Sequence, residues 1–139
     1  MAKKTGTDTK KTPQPALAIE TVPILSLRTD PANARRHSTR NIDAIKDSLR
    51  RFGLQKPIVV KKDNTILAGN GTWFAARELG WQEIAIVRTD LEGTAAVAYS
   101  LLDNRTTDLS VFDPDILQAQ ISTLTEDGWT PEDLGEDVL

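Results

Sequence analysis

Residues 69–72, Gly-Asn-Gly-Thr, have the composition of a turn that binds phosphate or another anion. They follow residues 65–67, which are β-branched or apolar, and precede an apolar helical pattern that ends at Gly80. The sequence therefore predicts a strand, a turn and a helix capped by Thr72. Glycines permit positive φ or close approach of the backbone to a ligand. The N–H groups and dipole of a helix start attract anions. A tight turn without a ligand is the alternative, because G-x-G alone has low specificity.

A second group of candidate residues lies in the predicted loop 29–38, which brings Arg35, Arg36 and His37 together. Pro31 and Asn33 are turn formers. A guanidinium can bind phosphate through two hydrogen bonds, which the ammonium of a lysine cannot copy. The alternative is a solvated basic loop before a helix, and an isolated loop histidine is usually only exposed.

Other polar residues are candidates for the same cleft. Gln55 and Lys56 precede a predicted strand, and Arg77 lies on the helix after the glycine turn, from which it either reaches back to phosphate or faces the surface. Trp73 and Phe74 belong to an apolar helix, so we expect them in the core or against a partner rather than under a nucleic acid base.

The triplet Asp103-Asn104-Arg105 is the most polar part of an otherwise apolar predicted helix. It could cap the helix, contact the glycine turn or help to hold Mg²⁺ through Asp103, since Mg²⁺ prefers oxygen ligands. An Asp-Arg network that fixes the helix on the domain is the structural alternative.

The elements that position these residues follow from hydrophobic periodicity. The pattern predicts an edge strand with Pro23 over 19–27, a helix with an apolar stripe after Ser38 or Thr39, and strands at 58–60 and 65–68 that form a hairpin. A strand at 84–87 and helices over 94–107 and from Asp113 to Gly128 follow, and Trp129 is expected to fold back. The stripe of the first helix consists of Ile42, Ile45, Leu49 and Phe52, and that of the 94–107 helix of Ala95, Ala98, Leu101 and Leu102.

Composition narrows the function classes. The 139 residues include no cysteine and a single histidine, which excludes disulfides, thiolate catalysis and Cys- or His-rich metal sites. No apolar run is long enough to span a membrane, and the start of the chain lacks the pattern of a secretory signal, so we expect a cytoplasmic protein.

Charge is distributed unevenly along the chain. All 17 basic residues but only 11 of the 20 acidic residues lie within residues 1–105, which gives this part a net charge of +6. A basic body suits a phosphate-bearing partner, whereas an acidic end that only maintains solubility is the alternative.

Four motifs, in this order, resemble the N-terminal domain of the ParB family, which has the ParB/sulfiredoxin-like fold. They are DPANAR (30–35), SLRRFGLQKPIVV (48–60), ILAGNGTWFAARELG (66–80) and IAIVR (84–88). The segment AVAYSLLDNRTTDLSVFDPDIL (96–117) is similar to the one that follows this domain in phage and DNA-methyltransferase-associated proteins. The resemblance implies an α+β fold: a small mixed sheet of about four strands with packed helices, extended by two C-terminal helices.

Composition and the resemblance together give a division of the chain and a set of expected site residues. The expected parts are a disordered basic tail (1–18), the ParB/sulfiredoxin-like domain (19–90), a helical extension (91–129) and an acidic tail (130–139). Nucleotide- or phosphate-binding residues are expected to be Arg35, Gly69, Asn70, Gly71 and Thr72, with Arg36, Gln55, Lys56, Arg77, Asp103, Asn104 and Arg105 around them.

The chain departs from the family at the glycine motif. In partition ParB this motif reads Gly-Glu-Arg-Arg and grips the triphosphate of CTP, whereas Asn70, Gly71 and Thr72 stand at its last three positions. The sulfiredoxin cysteine is absent, and no helix-turn-helix is evident. CTP or ATP with Mg²⁺ is the expected cofactor, while the catalytic and metal-binding residues are not identified.

Three functions are consistent with these patterns. The first is a module of phage or mobile-element DNA metabolism (modification, segregation or packaging) that binds nucleotide, DNA phosphate or both. The second is an enzyme on the same fold, either an NTPase or a weak metal-dependent DNase. The third is an adaptor for a methyltransferase or terminase. A homodimer is a further expectation, and Asn70 in place of the family's Glu favours binding without efficient turnover.

Overall fold

The computed structural model describes residues 16–31 and 35–135. The predicted disordered tail falls largely on residues 1–15, outside this range. The elements in chain order are β1 (Ile19–Pro23), a 3₁₀ turn (Ile24–Ser26), α1 (Thr39–Phe52), β2 (Ile58–Val60), β3 (Ile66–Ala68), α2 (Asn70–Glu78), β4 (Glu83–Arg88), α3 (Gly93–Leu109), α4 (Pro114–Glu126) and α5 (Pro131–Leu134).

Within the described residues, four strands form one mixed sheet in the order β1-β4-β2-β3. β1 runs antiparallel to β4, β2 runs parallel to β4, and β3 returns antiparallel to β2. The predicted hairpin and the α+β class are therefore confirmed. Pro23 lies in an edge strand, where its missing N–H removes no hydrogen bond from the interior of the sheet.

The core lies between the sheet and the helices α1 and α2. Ile58, Val60, Ile66 and Ile86 are almost fully buried on the sheet side and pack in one cluster with residues of both helices. Trp73 of α2 is buried in this cluster, and its Nε1 donates a 2.9 Å hydrogen bond to the carbonyl of Ile24. This bond satisfies the polar atom of a buried tryptophan and joins α2 to the turn after β1.

Helix α1 forms where periodicity and caps agree. The Ser38 side chain accepts a hydrogen bond from the Asn41 N–H, and Gly53, with φ of 74°, ends the helix. Leu49 is buried, but Phe52, the last member of the predicted stripe, is 54% exposed. Phe52 instead stacks on Trp129, with ring centroids 6.0 Å apart, which confirms that Trp129 folds back.

The start of α2 differs from the prediction. Gly69, with φ of 105°, is the N-cap, and Asn70 is the first helical residue. Thr72 therefore lies inside the first turn and is not the cap. The left-handed backbone that only glycine adopts readily decides this, since the chain can turn directly from β3 into the helix.

The predicted inner face of α3 is wrong. The helix buries Ala96, while Leu101 and Leu102 are 58% and 59% exposed. Ser100 fixes the contact with the sheet, because its hydroxyl donates to the carbonyl of Leu67 at 3.0 Å. A small side chain and a hydroxyl, rather than large apolar groups, place α3 beside β3.

Residues 130–135, the first part of the predicted acidic tail, contain α5 and contact α1. Thr130 and Asp133 form a reciprocal capping box around α5, and Asp133 pairs with Arg51 of α1 at 2.7 Å. Among the described residues, no helix combines the length and apolarity needed to cross a membrane.

Candidate functional site

A cavity of about 390 Å³ lies where β3 turns into α2. The loop before α1, the approach to β2, the end of β3, the first turn of α2 and the second half of α3 form its walls. The lining residues are Arg35, His37, Ile45, Lys56, Leu67, Ala68, Gly69, Asn70, Gly71, Thr72, Asp103, Asn104 and Thr107. The structure thus brings together all five residues that the sequence predicts to bind phosphate.

Gly69 shapes the turn at the base of the cavity. Besides its positive φ, a Cβ built on it would lie 3.0 Å from Cγ1 of Ile58, a side chain of the core. Glycine is thus required at this position for conformation and for space. The first N–H groups of α2 have no acceptor within the helix, and the turn places the residues that carry them together in the cavity lining.

Gly71 has a different role from the one that the G-x-G pattern suggests. Its φ is not positive, but a Cβ built there would lie 2.7–2.9 Å from three atoms of the His37 ring. On its other side the ring is held by a hydrogen bond between Nδ1 and Oδ1 of Asn41. His37 is an exposed loop residue, as the sequence predicts, and its ring also lies against the first turn of α2.

Asn70 carries an unsatisfied acceptor. Its Oδ1 atom is buried, and no donor in the described part of the chain reaches it. A buried acceptor without a partner costs about 1–3 kcal/mol, so such atoms are rare away from ligand or water sites. A donor or a cation in the cavity would satisfy this oxygen.

Arg35 joins the cavity to α3. Its Nη1 lies 3.1 Å from both carboxylate oxygens of Asp108, in the last turn of that helix. Both side chains are substantially exposed, so solvent screens this pair. A bound phosphate would compete with Asp108 for the same guanidinium.

Helix α3 contributes polar side chains to the wall of the cavity. Asp103, Asn104 and Thr107 line it, and Asp103 is the carboxylate among the lining residues. Burial, followed by the charge of Asp103, raises the pKa of Tyr99. Lys56 and Arg35 supply positive charge, so the cavity combines two cations with one anion.

Four predicted residues lie outside the cavity lining. Gln55 donates to the carbonyl of Phe52 at 2.8 Å, and Arg77 lies over the rings of Trp73 and Phe74, 4.5 and 5.2 Å from their centroids. Arg36 and Arg105 are exposed side chains that do not line the cavity. The surface alternative for Arg77 is therefore the one observed.

Thr107 and Asp108 are the site residues that sequence reasoning missed. Thr107 follows Asp103 by four residues, a spacing that places both on one face of a helix and gave a usable signal. No such signal in the sequence pointed to Asp108, because its partner Arg35 is 73 residues away. In the described ranges, no group of three or more His, Cys, Asp or Glu residues could hold a metal ion.

Comparison with known proteins identifies the family. The model of the ParB N-terminal domain matches residues 8–105, well over half of the chain. The chain belongs to the ParB N-terminal domain family. This match confirms the family that the four motifs predict.

Two relatives match parts of this ParB-family chain. The nucleoid occlusion protein of Oceanobacillus iheyensis is 26% identical over 92 residues, or 58% of this chain and 32% of that protein. The ParB-like nuclease domain-containing protein YnaK of Escherichia coli is 31% identical over 55 residues, or 40% of this chain and 63% of that protein. In both cases the chain corresponds to less than two thirds of the relative.

A solved structure shows the same fold. The C-terminally truncated chromosome-partitioning protein ParB from Caulobacter crescentus, complexed with CTP-gamma-S, superposes with a TM-score of 0.68 at 21% identity. The match covers 87% of this chain and 71% of that chain. The ParB fold thus extends over most of the chain, including much of the C-terminal helical region.

Proposed function

We propose that this ParB-family chain binds a nucleoside triphosphate by its phosphates in the cavity at the start of α2. The observation that carries the proposal is the convergence of the Gly69 turn, Arg35 and Lys56 on one cavity. Free N–H groups at a helix start, a bidentate guanidinium and an ammonium are complementary to a polyphosphate. CTP is the first candidate because the Caulobacter ParB with this fold is complexed with CTP-gamma-S, and ATP is the alternative.

The polar wall of α3 fits a magnesium ion that accompanies the triphosphate. Asp103 supplies a carboxylate and Asn104 an amide oxygen, and Mg²⁺ usually binds through one or two carboxylates together with substrate phosphates. Mg²⁺ would neutralise phosphate charge when bound. The chain's own contribution is to orient the triphosphate between this wall and the glycine turn.

Binding without efficient turnover is the form of the proposal that we favour. Asn70 stands in the glycine turn as an uncharged amide, and its buried Oδ1 can accept from a ligand but cannot take up a proton at neutral pH. An NTPase that uses Asp103, or a weak DNase, is the enzymatic alternative. Steady release of inorganic phosphate or nicking of plasmid DNA would favour that alternative.

DNA is the second ligand class that we propose. The net charge of +6 over residues 1–105 suits a polyanion. Binding that rests on this charge would weaken steeply with salt, because counterions are released when phosphates are neutralised. A role in phage or mobile-element DNA modification, segregation or packaging remains our proposal for the biological setting.

An adaptor function has one specific observation in its favour. Large apolar side chains stay exposed along the connection between α3 and α4, with Val111 90% and Phe112 66% exposed. A contiguous apolar surface often marks a protein contact. The partner proposed from this surface is a methyltransferase, a terminase or a second copy of the chain, and light scattering and co-purification would separate these.

Titration calorimetry with CTP, ATP, GTP and a short DNA duplex, with and without Mg²⁺, tests the proposal. We expect saturable binding of one nucleotide, weakened about tenfold or more in Arg35→Ala because a hydrogen bond to a charged group is lost. Arg77→Ala is the matched control, since it removes the same charge outside the cavity.

The other outcomes are equally informative. Salt-sensitive DNA binding without nucleotide binding would overturn the nucleotide proposal and support a basic DNA-binding domain. Absence of binding in every titration would overturn the proposals of nucleotide binding and DNA binding and would favour the adaptor function. Equal affinity of wild type and Arg35→Ala for CTP would overturn the proposed position of the phosphates.

A further inference from the structure

The contact between His37 and Gly71 points to a specific ligand-binding role for the histidine. We propose that His37, when its imidazole is protonated, donates a hydrogen bond from Nε2 to the bound phosphate. The absence of a side chain at Gly71 leaves the space that the ring occupies in the cavity. This inference rests on the proposed function, because it requires a phosphate in the same cavity.

The ring is held on two sides, which fixes the atom left for a ligand. Asn41 Oδ1 accepts from Nδ1 on one side, and the backbone of Gly71 lies against the ring on the other. Since Nδ1 is engaged, Nε2 is the ring nitrogen that remains, and no hydrogen bond within residues 16–31 and 35–135 uses it. His37 also lines the cavity, beside the first N–H groups of α2.

The need for glycine at position 71 follows from this contact and not from backbone conformation. Residue 71 lies inside α2 and has no positive φ, so an alanine would be compatible with the local helix. The Cβ of that alanine would lie 2.7 Å from Cε1 and 2.9 Å from both ring nitrogens of His37. Any side chain at position 71 must therefore displace the imidazole.

The charges around the ring determine how its protonation affects binding. Arg35 and Lys56 are the cations that line the cavity with it, and Asp103 is the facing carboxylate on α3. Asp108 already pairs with the Arg35 guanidinium. A protonated imidazole adds a third cation next to the helix start, where an anion gains most from it. Because a protonated imidazole binds an anion more strongly than a neutral one, nucleotide affinity should fall as pH rises.

The first experiment measures CTP affinity by calorimetry at pH 5.5, 6.5 and 7.5 in wild type and His37→Gln. Glutamine keeps an N–H donor but does not titrate, and it corrects for the titration of the terminal phosphate of CTP. We expect wild-type affinity to fall about tenfold more than that of His37→Gln as pH rises, as for loss of one charged hydrogen bond. Parallel pH profiles would overturn the inference and leave the proposed function intact, whereas absence of CTP binding at every pH would overturn both.

The second experiment tests the contact between Gly71 and the His37 ring, with Gly71→Ala in wild type and in a His37→Ala background. In wild type, the methyl group displaces the ring, so we expect loss of the pH-dependent part of CTP binding. In His37→Ala the space is open, so the same substitution should cost clearly less affinity than it does in wild type. Equal losses in both backgrounds would show that Gly71 acts independently of the histidine. Circular dichroism of all four proteins checks that each one folds.

Discussion

Arg35 in the loop before α1 and Asp108 in the last turn of α3 form an ion pair, with Nη1 3.1 Å from both carboxylate oxygens. The pair links the loop before α1, which contributes Arg35 to the cavity lining, to α3, which contributes Asp103, Asn104 and Thr107. Asp108 thus contacts the guanidinium that we propose to bind phosphate.

Asp108→Asn should raise the affinity for the nucleotide. The substitution removes the carboxylate that competes for the Arg35 guanidinium. Because an exposed ion pair contributes about 0–1 kcal/mol, we expect up to about fivefold tighter binding by calorimetry. Asp90→Asn removes an equal charge from an exposed side chain outside the cavity lining and serves as control. Equal gains in both variants would attribute the effect to net charge alone.

Gly69→Ala should destabilise the fold more than Gly80→Ala. Both glycines have positive φ, so each substitution introduces backbone strain of about 1–3 kcal/mol. Only at Gly69 does the new Cβ also meet a core side chain, Ile58, at 3.0 Å, whereas Gly80 has open space around it. Urea unfolding of the two variants measures the difference, and equal losses would mean that Ile58 moves aside without cost.

Asn70→Ala should separate stability from binding. The buried Oδ1 makes no hydrogen bond with the described residues, so its removal should leave thermal stability unchanged or raise it slightly. CTP affinity should fall severalfold, since a donor or Mg²⁺ in the ligand loses its acceptor. Ser100→Ala is the contrasting case: it removes a satisfied hydroxyl that donates to Leu67 and should cost about 1 kcal/mol of stability. Clear destabilisation by Asn70→Ala would show that its amide supports the fold.

Acid should loosen the chain end through Asp133. The backbone N–H of Thr130, and then the Thr130 hydroxyl and Arg51, hold the pKa of this carboxyl below its ordinary value. A lowered pKa in the folded state means that the carboxylate stabilises α5 above the ordinary aspartate range, and that this stabilisation is lost as pH falls through the folded value. Carbon-13 NMR of the carboxyl should report a pKa below the ordinary aspartate value, and the Trp129 indole signal should shift over the same pH range. A Trp129 shift that persists in Asp133→Asn would assign the transition to another group.

Local patterns were sufficient for much of the fold. Ser38 and Gly53 bound α1 as their cap preferences predict, and the apolar runs at 58–60 and 66–68 pair as a hairpin. Short-range rules succeed at these places because the deciding interactions lie within a few residues of each other. The same rules failed for α3, because both of its faces carry apolar residues and contact with β3 selected the face with Ala96.

The sequence by itself determined the family motifs, the glycine turn and the chemical types available for phosphate binding. Only the tertiary structure decided that Gly71 lies against the His37 ring and that Asp108 pairs with Arg35. It also decided that Arg77 and Gln55 lie outside the cavity lining. The physical reason is distance along the chain. Residues 34 and 73 positions apart meet only after α1, α2 and α3 have packed, and no local preference of the backbone reports those contacts.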